Sequence, residues 1–444
     1  MFSLKITKIT VSILTLTVFI LSASCIPDSI SLAQTELSAP ILSMDIQKGM
    51  CFVTWDKNSF SSYSTEKALA RLKGNGASHV QINVTHYQET YNSTSIKATE
   101  LTPSDSSVQF AIKSALKNGL EVMLKPHIDL LDSGDGSYWR ADIGFQNETD
   151  WKKWFASYKQ FILHYARIAE KNNVSIFAVG TELSFTTQKT SDWKDIIAEV
   201  KKIYSGKLIY AANWDEYKNV QFWGDLDFMG IDAYFPLTYK TDPSVEDIKK
   251  GWSKWIQEIE MVQKSVNKPV IFTEIGYAST KNAPSKPWEN GTSGNADTDI
   301  QAKCYKAFFE AVWARPWLKG VYFWKWDPSV SGGGKNNRDF TPLNKPAEQI
   351  LASVFKSEDP LLSPGVSEHI TKMIGNKVQA PASAIVPDYV GTIASKAQRH
   401  LPTLDNGNLL GINTLQPALK TAHKGELVKE WAKIHQEIMD SKKK

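Results

Sequence analysis

The sequence predicts an α/β fold, a (β/α)8 barrel spanning residues 45–356 of a 444-residue chain. Three observations predict it. Eight short apolar runs recur along this stretch, most of them continuous rather than alternating, as expected for parallel strands covered on both faces. Amphipathic segments at helical spacing fill most gaps between them. The long polar loops follow strands and so gather on one face of such a barrel, where loops shape a cleft. A doubly wound open sheet would show the same local signals, but no glycine-rich dinucleotide fingerprint follows the first strand; Gly74-Asn75-Gly76 ends a helix instead.

The eight runs are 49–55, 79–84, 121–126, 174–180, 208–213, 228–233, 269–273 and 320–324. Between the first two, 65–75 carries Ala68, Leu69 and Leu72 on one face and stops at glycines. Helix 103–118 has Thr102 as its expected cap, Pro103 in its first turn, and Gly119 at a left-handed terminus. Segment 151–172 aligns Trp154, Tyr158, Phe161 and Ile162 in one stripe. Segments 192–204, 245–265 and 299–314 repeat the pattern, while 214–227 is too short for more than a turn or two. The loops 129–139, 277–297 and 327–339 are the long ones.

Outside the barrel, Lys5 and Lys8 precede an uncharged apolar stretch, 9–24, which reads as an export signal within residues 1–33. Two exits compete: a lipoprotein-like box ending at Cys25, and cleavage after Ala33. Secretion or attachment at the cell surface or in the periplasm is expected, with Cys25 the only membrane anchor considered. Residues 34–44 read as a linker and 357–444 as an extension of unassigned role.

Composition narrows the function. Hydrophobic residues at 42% exclude a mostly disordered chain, and 3 cysteines exclude a disulfide-built scaffold. Cys51 and Cys304 read as buried thiols rather than a pair. A net charge of +4 without a basic stripe argues against nucleic acid. The 15 Trp and 15 Tyr suit a large core and sugar binding alike. No His pair has metal-ligand spacing, Asp132, Ser133 and Asp135 lack a calcium-loop pattern, and neither a phosphate loop nor a Gly-x-Ser-x-Gly elbow is present. No metal or cofactor is expected, and a monomer is.

The chemistry centres on Glu182, in Val179-Gly180-Thr181-Glu182-Leu183, and Glu274, in Phe272-Thr273-Glu274-Ile275-Gly276. Each ends an apolar strand, where a carboxylate is costly unless paired or useful. From the fourth and seventh strands both would face one cleft, as the nucleophile and acid/base of a retaining glycosidase must. Each alone could instead neutralise a cation in the barrel mouth. Other strand-end residues converge there: Lys125 and His127 after the third, Asn213 and Trp214 after the fifth, Asp232 and Tyr234 after the sixth, Trp324 and Trp326 after the eighth. Tyr234 is expected to donate to the nucleophile, and Trp324 to offer an apolar face to a sugar ring, although either Trp could be core packing.

These motifs resemble glycoside hydrolase family 113, within the large clan of retaining (β/α)8 glycosidases. The resemblance runs from Gly49-Met50 and Thr54-Trp55 through Lys125-Pro126-His127, Val179-Gly180-Thr181-Glu182, Gly230-Ile231-Asp232-Ala233-Tyr234, Phe272-Thr273-Glu274-Ile275-Gly276-Tyr277 and Phe323-Trp324. It implies endo-acting hydrolysis of β-1,4-mannan, glucomannan or galactomannan, with Glu182 the acid/base, Glu274 the nucleophile and no cofactor. In the wider clan an Asn that meets the substrate 2-hydroxyl precedes the acid/base; here Thr181 stands in its place. The alternatives are the same chemistry on xylan or glucan, and a non-catalytic carbohydrate-binding barrel.

Overall fold

A computed structural model describes residues 46–291 and 294–357. The expectations for 1–33, 34–44 and almost all of 357–444, including lipid attachment at Cys25, lie outside them. Eight parallel strands close in sequence order into a barrel, which excludes the open sheet. They are β1 (Gln47–Phe52), β2 (His79–Gln88), β3 (Glu121–Leu130), β4 (Ile176–Thr181), β5 (Lys207–Asn213), β6 (Phe228–Asp232), β7 (Val270–Ile275) and β8 (Leu318–Trp326). β2 and β3 run past their anticipated ends and stay paired to Gln88 and Leu130, so the third strand carries Lys125 and His127 within it.

The helices are α1 (Tyr63–Gly74), α2 (Asp105–Lys117), α3 (Glu148–Lys171), α4 (Thr190–Lys201), α5 (Val245–Val266), α6 (Thr298–Ala311) and α7 (Pro346–Lys356). α2 starts two residues later than Pro103 suggests. Ser104 is its cap, accepting from the Ser107 amide, because the Thr102 hydroxyl instead donates to the Thr85 carbonyl. Gly119 takes the left-handed position expected of it, at φ +69°. The short β5–β6 connection holds a single 3-10 turn, Trp223–Asp225. α7, not among the anticipated helices, opens with Pro346 in its first turn and buries Ile350, Leu351, Val354 and Phe355. Its Glu348 receives two bonds from Arg71 of α1, at 2.8 and 2.6 Å, tying the last helix to the first.

Two packed layers result. Between strands and helices lies the large aromatic core, including Trp154, Trp193, Tyr210, Trp252 and Trp326. Inside the barrel a smaller plug contains Cys51, Met123, Ile176, Ile209, Ile271 and Tyr322. Cys51 and Cys304 are both free and buried. Above the plug, apolar residues give way to polar ones, and the side chains carried by the strand ends meet at the C-terminal mouth.

Candidate active site

β3 points alternate residues inward, which stacks Met123, Lys125 and His127 toward the mouth. Lys125 is fully buried. Its Nζ donates to both oxygens of Asp232, at 3.0 and 2.9 Å, and to Glu274 Oε1 at 2.7 Å. Burial disfavours its charge, but Asp232 and Glu274 outweigh that and hold it above the ordinary lysine range. Asp232 Oδ1 also accepts from Thr273 at 2.7 Å. Burial and the neighbouring Glu274 push Asp232 upward against Lys125. With three short contacts to carboxylate oxygens, the state the geometry supports is a charged lysine.

Glu274 lies where β7 shifts register against β8, between Phe272 and Ile275. Its second oxygen accepts from Tyr234 at 2.7 Å. Burial and the adjacent Glu274 push the Tyr234 phenol well above its usual value, so it stays a donor. His127 Nε2, 3.9 Å from Glu274 Oε1, faces the Asn83 amide nitrogen at 2.8 Å. Burial, Lys125 and Arg140 push its pKa well down, so the ring is neutral and accepts from Asn83.

Glu182 follows β4 with a left-handed backbone, φ +51°, costly for a residue with a Cβ. Its Oε2 accepts from Arg140 Nη1 at 2.6 Å. Arg140 is anchored by the Ile128 carbonyl and by Asp129, both at 3.0 Å. Burial disfavours the guanidinium charge, but Asp129, Glu182 and Glu274 together outweigh it. Arg140 thus ties Glu182 to the end of β3 at the Ile128 carbonyl, next to His127, whose Nε2 stands 3.9 Å from Glu274 Oε1, and this brings both glutamates to the same mouth. The Thr181 hydroxyl is turned to the Pro126 carbonyl at 3.4 Å.

Aromatic residues form part of the rim. Trp324 packs edge-on to Trp55, ring centroids 6.5 Å apart, and Lys325 Nζ lies 5.1 Å from the Trp55 ring centroid. Trp214 lies parallel to Trp288 of the β7–α6 loop, 5.7 Å away. Trp214, Trp288 and Trp324 pack around Tyr234, Ala278 and Phe340. Asn213 is buried except for 7% of its surface, its amide nitrogen donating to Asp215 at 3.0 Å.

Three residues expected to contact substrate stand elsewhere. Trp326 lies in the outer layer, fully buried, its indole donating to the Ala68 carbonyl of α1 at 3.0 Å. It follows a register shift between β1 and β8, so strand alternation does not carry the inward face of Trp324 on to it. Lys125 and Asp232 are both at 0% exposure, beneath Glu274 rather than in the cleft. Sequence reasoning missed Arg140, Asn83, Trp288 and Glu216. The run Tyr138-Trp139-Arg140 in a loop on the catalytic side was the one visible signal for the arginine. His86 turns away from the mouth, its Nε2 2.9 Å from the Tyr165 hydroxyl.

Asp129, Glu182, Asp232 and Glu274 stand against Lys125 and Arg140, so the site is richer in carboxylates than in cations. Such an excess favours retention of a proton by one carboxyl and stabilises positive charge developing on a bound group. Among the described residues, no three His, Cys, Asp or Glu side chains cluster as a metal ion requires.

A closed barrel with two buried glutamates at one mouth, one within β7 and one just past β4, each with different partners, defines a barrel glycoside hydrolase. The sequence profile of glycoside hydrolase family 113 matches residues 50–345, and the chain belongs to that family. A solved family 113 β-1,4-mannanase is 28% identical with a TM-score of 0.64, covering 71% of this chain and 100% of its own. A complex structure of a family 113 β-1,4-mannanase is 27% identical, TM-score 0.64, covering 71% and 100%. The family 113 β-mannanase AaManA from Alicyclobacillus acidocaldarius, in complex with ManMIm, is 25% identical, TM-score 0.64, covering 71% and 98%. No curated protein matches the chain in sequence.

Proposed function

We propose that this glycoside hydrolase is a retaining endo-β-1,4-mannanase acting on mannan, glucomannan or galactomannan. The family membership and the mannanases among its structural relatives support the substrate. The observation that carries the mechanism is the unlike setting of the two carboxyls. Glu274 is oriented by Lys125 at 2.7 Å and Tyr234 at 2.7 Å, one donor on each oxygen. That is the fixed aim a nucleophile needs. Glu182, across the mouth just after β4, is the acid/base.

In the first step Glu274 attacks the anomeric carbon while Glu182 gives its proton to the departing glycosidic oxygen. The C–O bond to the leaving sugar breaks and a glycosyl ester forms on Glu274. In the second step Glu182 takes a proton from water, whose oxygen attacks the same carbon and returns Glu274 as carboxylate. Trp324 and Trp214 offer ring faces to the sugars, with His127 and Asn213 as polar neighbours.

The test is hydrolysis of mannan, glucomannan, xylan and cellulose by the purified protein, with E182Q and E274Q alongside and the anomer of the first product read by NMR. Mannan cleavage releasing the β-anomer, abolished in both variants, is expected. Xylan cleavage without mannan cleavage overturns the substrate, and an α-anomer overturns retention. We also propose that the protein acts as an exported monomer, on the strength of Lys5, Lys8 and the apolar stretch after them for the export. Cell fractionation and light scattering test this.

A further inference from the structure

Glu216, in the loop after β5, is buried to 3% exposure, and no ion pair among the described residues includes it. A carboxylate without a cation is expensive in such a place. Its oxygens are nonetheless fully engaged. Oε1 accepts from the Tyr210 hydroxyl at 2.6 Å, and Oε2 accepts from the Asn213 amide at 2.9 Å.

The Tyr210 hydroxyl has a second role. It accepts from the backbone N–H of Leu183 at 2.9 Å. Leu183 directly follows Glu182, whose backbone is left-handed at φ +51°, and the Glu182 amide is held by the Ala211 carbonyl at 2.8 Å. The unfavourable turn is therefore pinned on both sides by β5, once through its backbone and once through Tyr210. Gly180 makes room for this arrangement: a Cβ there would lie 2.8 Å from Tyr210 Cε2 and 2.6 Å from Trp193 Cη2.

We propose that Glu216 is a positioning residue for Glu182, acting through the Tyr210 hydroxyl on the Leu183 amide. By holding the phenol proton on its own side, Glu216 leaves the Tyr210 lone pair for Leu183 and so fixes where the Glu182 carboxyl points. The same carboxylate caps the turn that carries Asn213 and Trp214, coupling the β4 and β5 ends of the cleft. This rests on Glu182 being the acid/base.

The test uses Y210F and E216L with two substrates: mannopentaose, whose leaving sugar needs a proton, and 2,4-dinitrophenyl β-mannobioside, whose leaving group does not. A misaimed acid lowers kcat/KM by about tenfold or more on mannopentaose and by less than about threefold on the aryl glycoside. Equal losses on both substrates, or no loss on either, overturn the proposal. Melting temperatures identify misfolding; if Y210F does not fold, E216L, which removes the acceptor for the phenol at similar side-chain volume, decides. E182A is run in parallel. If E182A shows no dependence on the leaving group, the acid/base assignment itself fails. If E182A shows it and the two variants do not, only the role of Glu216 fails.

Discussion

Lys125 Nζ stands 2.7 Å from Glu274 Oε1 while also binding Asp232, so one buried cation serves carboxylates on two neighbouring strands. Removing it leaves two buried negative groups facing each other. K125M should therefore lower stability by about 3–5 kcal/mol and kcat on mannan by roughly 100-fold or more. The double variant K125M/D232L should regain much of the stability, because the uncompensated Asp232 charge is gone, and none of the activity. Chemical denaturation and initial rates on mannan measure both. Near-normal kcat in K125M would show that Glu274 needs no cation.

Glu216 makes stability depend on pH. Burial is the largest influence and raises its carboxyl from 4.5 to about 7, Tyr210, Ser184 and the Asn213 amide oppose the rise, and Glu182 adds to it. The folded state thus binds this proton more tightly than the unfolded state. The stabilising contribution is complete below pH 4.5 and is lost as pH rises through about 7. E216Q abolishes the dependence. Relative to the parent protein it should be more stable at pH 8 than at pH 5, by up to about 3 kcal/mol. Urea denaturation of both proteins at the two pH values checks this, and an equal difference at both would refute it.

Much of the barrel was legible because parallel strands covered by helices must be apolar throughout, and each helix carries its own periodicity. Glu182 and Glu274 were legible for the converse reason, as charges interrupting apolar runs. Arg140 was not. It precedes Glu182 by 42 residues in a polar loop, and only closure of the barrel brings the two together. Glu216 sits in Trp214-Asp215-Glu216-Tyr217, which reads as a solvated turn, yet the fold buries its carboxyl against Tyr210 and the Asn213 amide. Trp326 shows the opposite error. Its spacing from Trp324 implies a shared face, but a register shift between strands, invisible in one sequence, separates them. Likewise Thr102 and Ser104 are both capable caps, and the Thr85 carbonyl decides between them.

Trp324 should contribute to binding more than to chemistry. It packs against the interior plug and lies edge-on to Trp55, centroids 6.5 Å apart, and is only partly buried. A sugar ring stacked on it gains apolar contact in ground state and transition state alike. W324A should raise KM for mannopentaose about 5- to 30-fold, in keeping with a lost contact of roughly 1–2 kcal/mol. The kcat should change far less. Steady-state kinetics separate the two, and a fall in kcat at constant KM would place the indole in the reacting geometry instead.

Gly180 offers a steric test of how β4 is held. A methyl group there would meet the Trp193 ring at 2.6 Å and the Tyr210 ring at 2.8 Å. Both rings are fully buried and pack against each other, centroids 5.3 Å apart, so neither can swing into solvent. Relief must come from a shift of Tyr210 or of β4 itself. G180A should destabilise the barrel by about 1–3 kcal/mol, the usual cost of overpacking a filled core. Because the Tyr210 hydroxyl is bonded to the Leu183 amide at 2.9 Å, the shift should also reach Glu182. Activity on mannopentaose should then fall at temperatures well below the unfolding transition, while the dinitrophenyl glycoside is spared. A G180A protein that is less stable yet equally active on both substrates when folded would show that the packing beneath β4 supports the fold without aiming the acid.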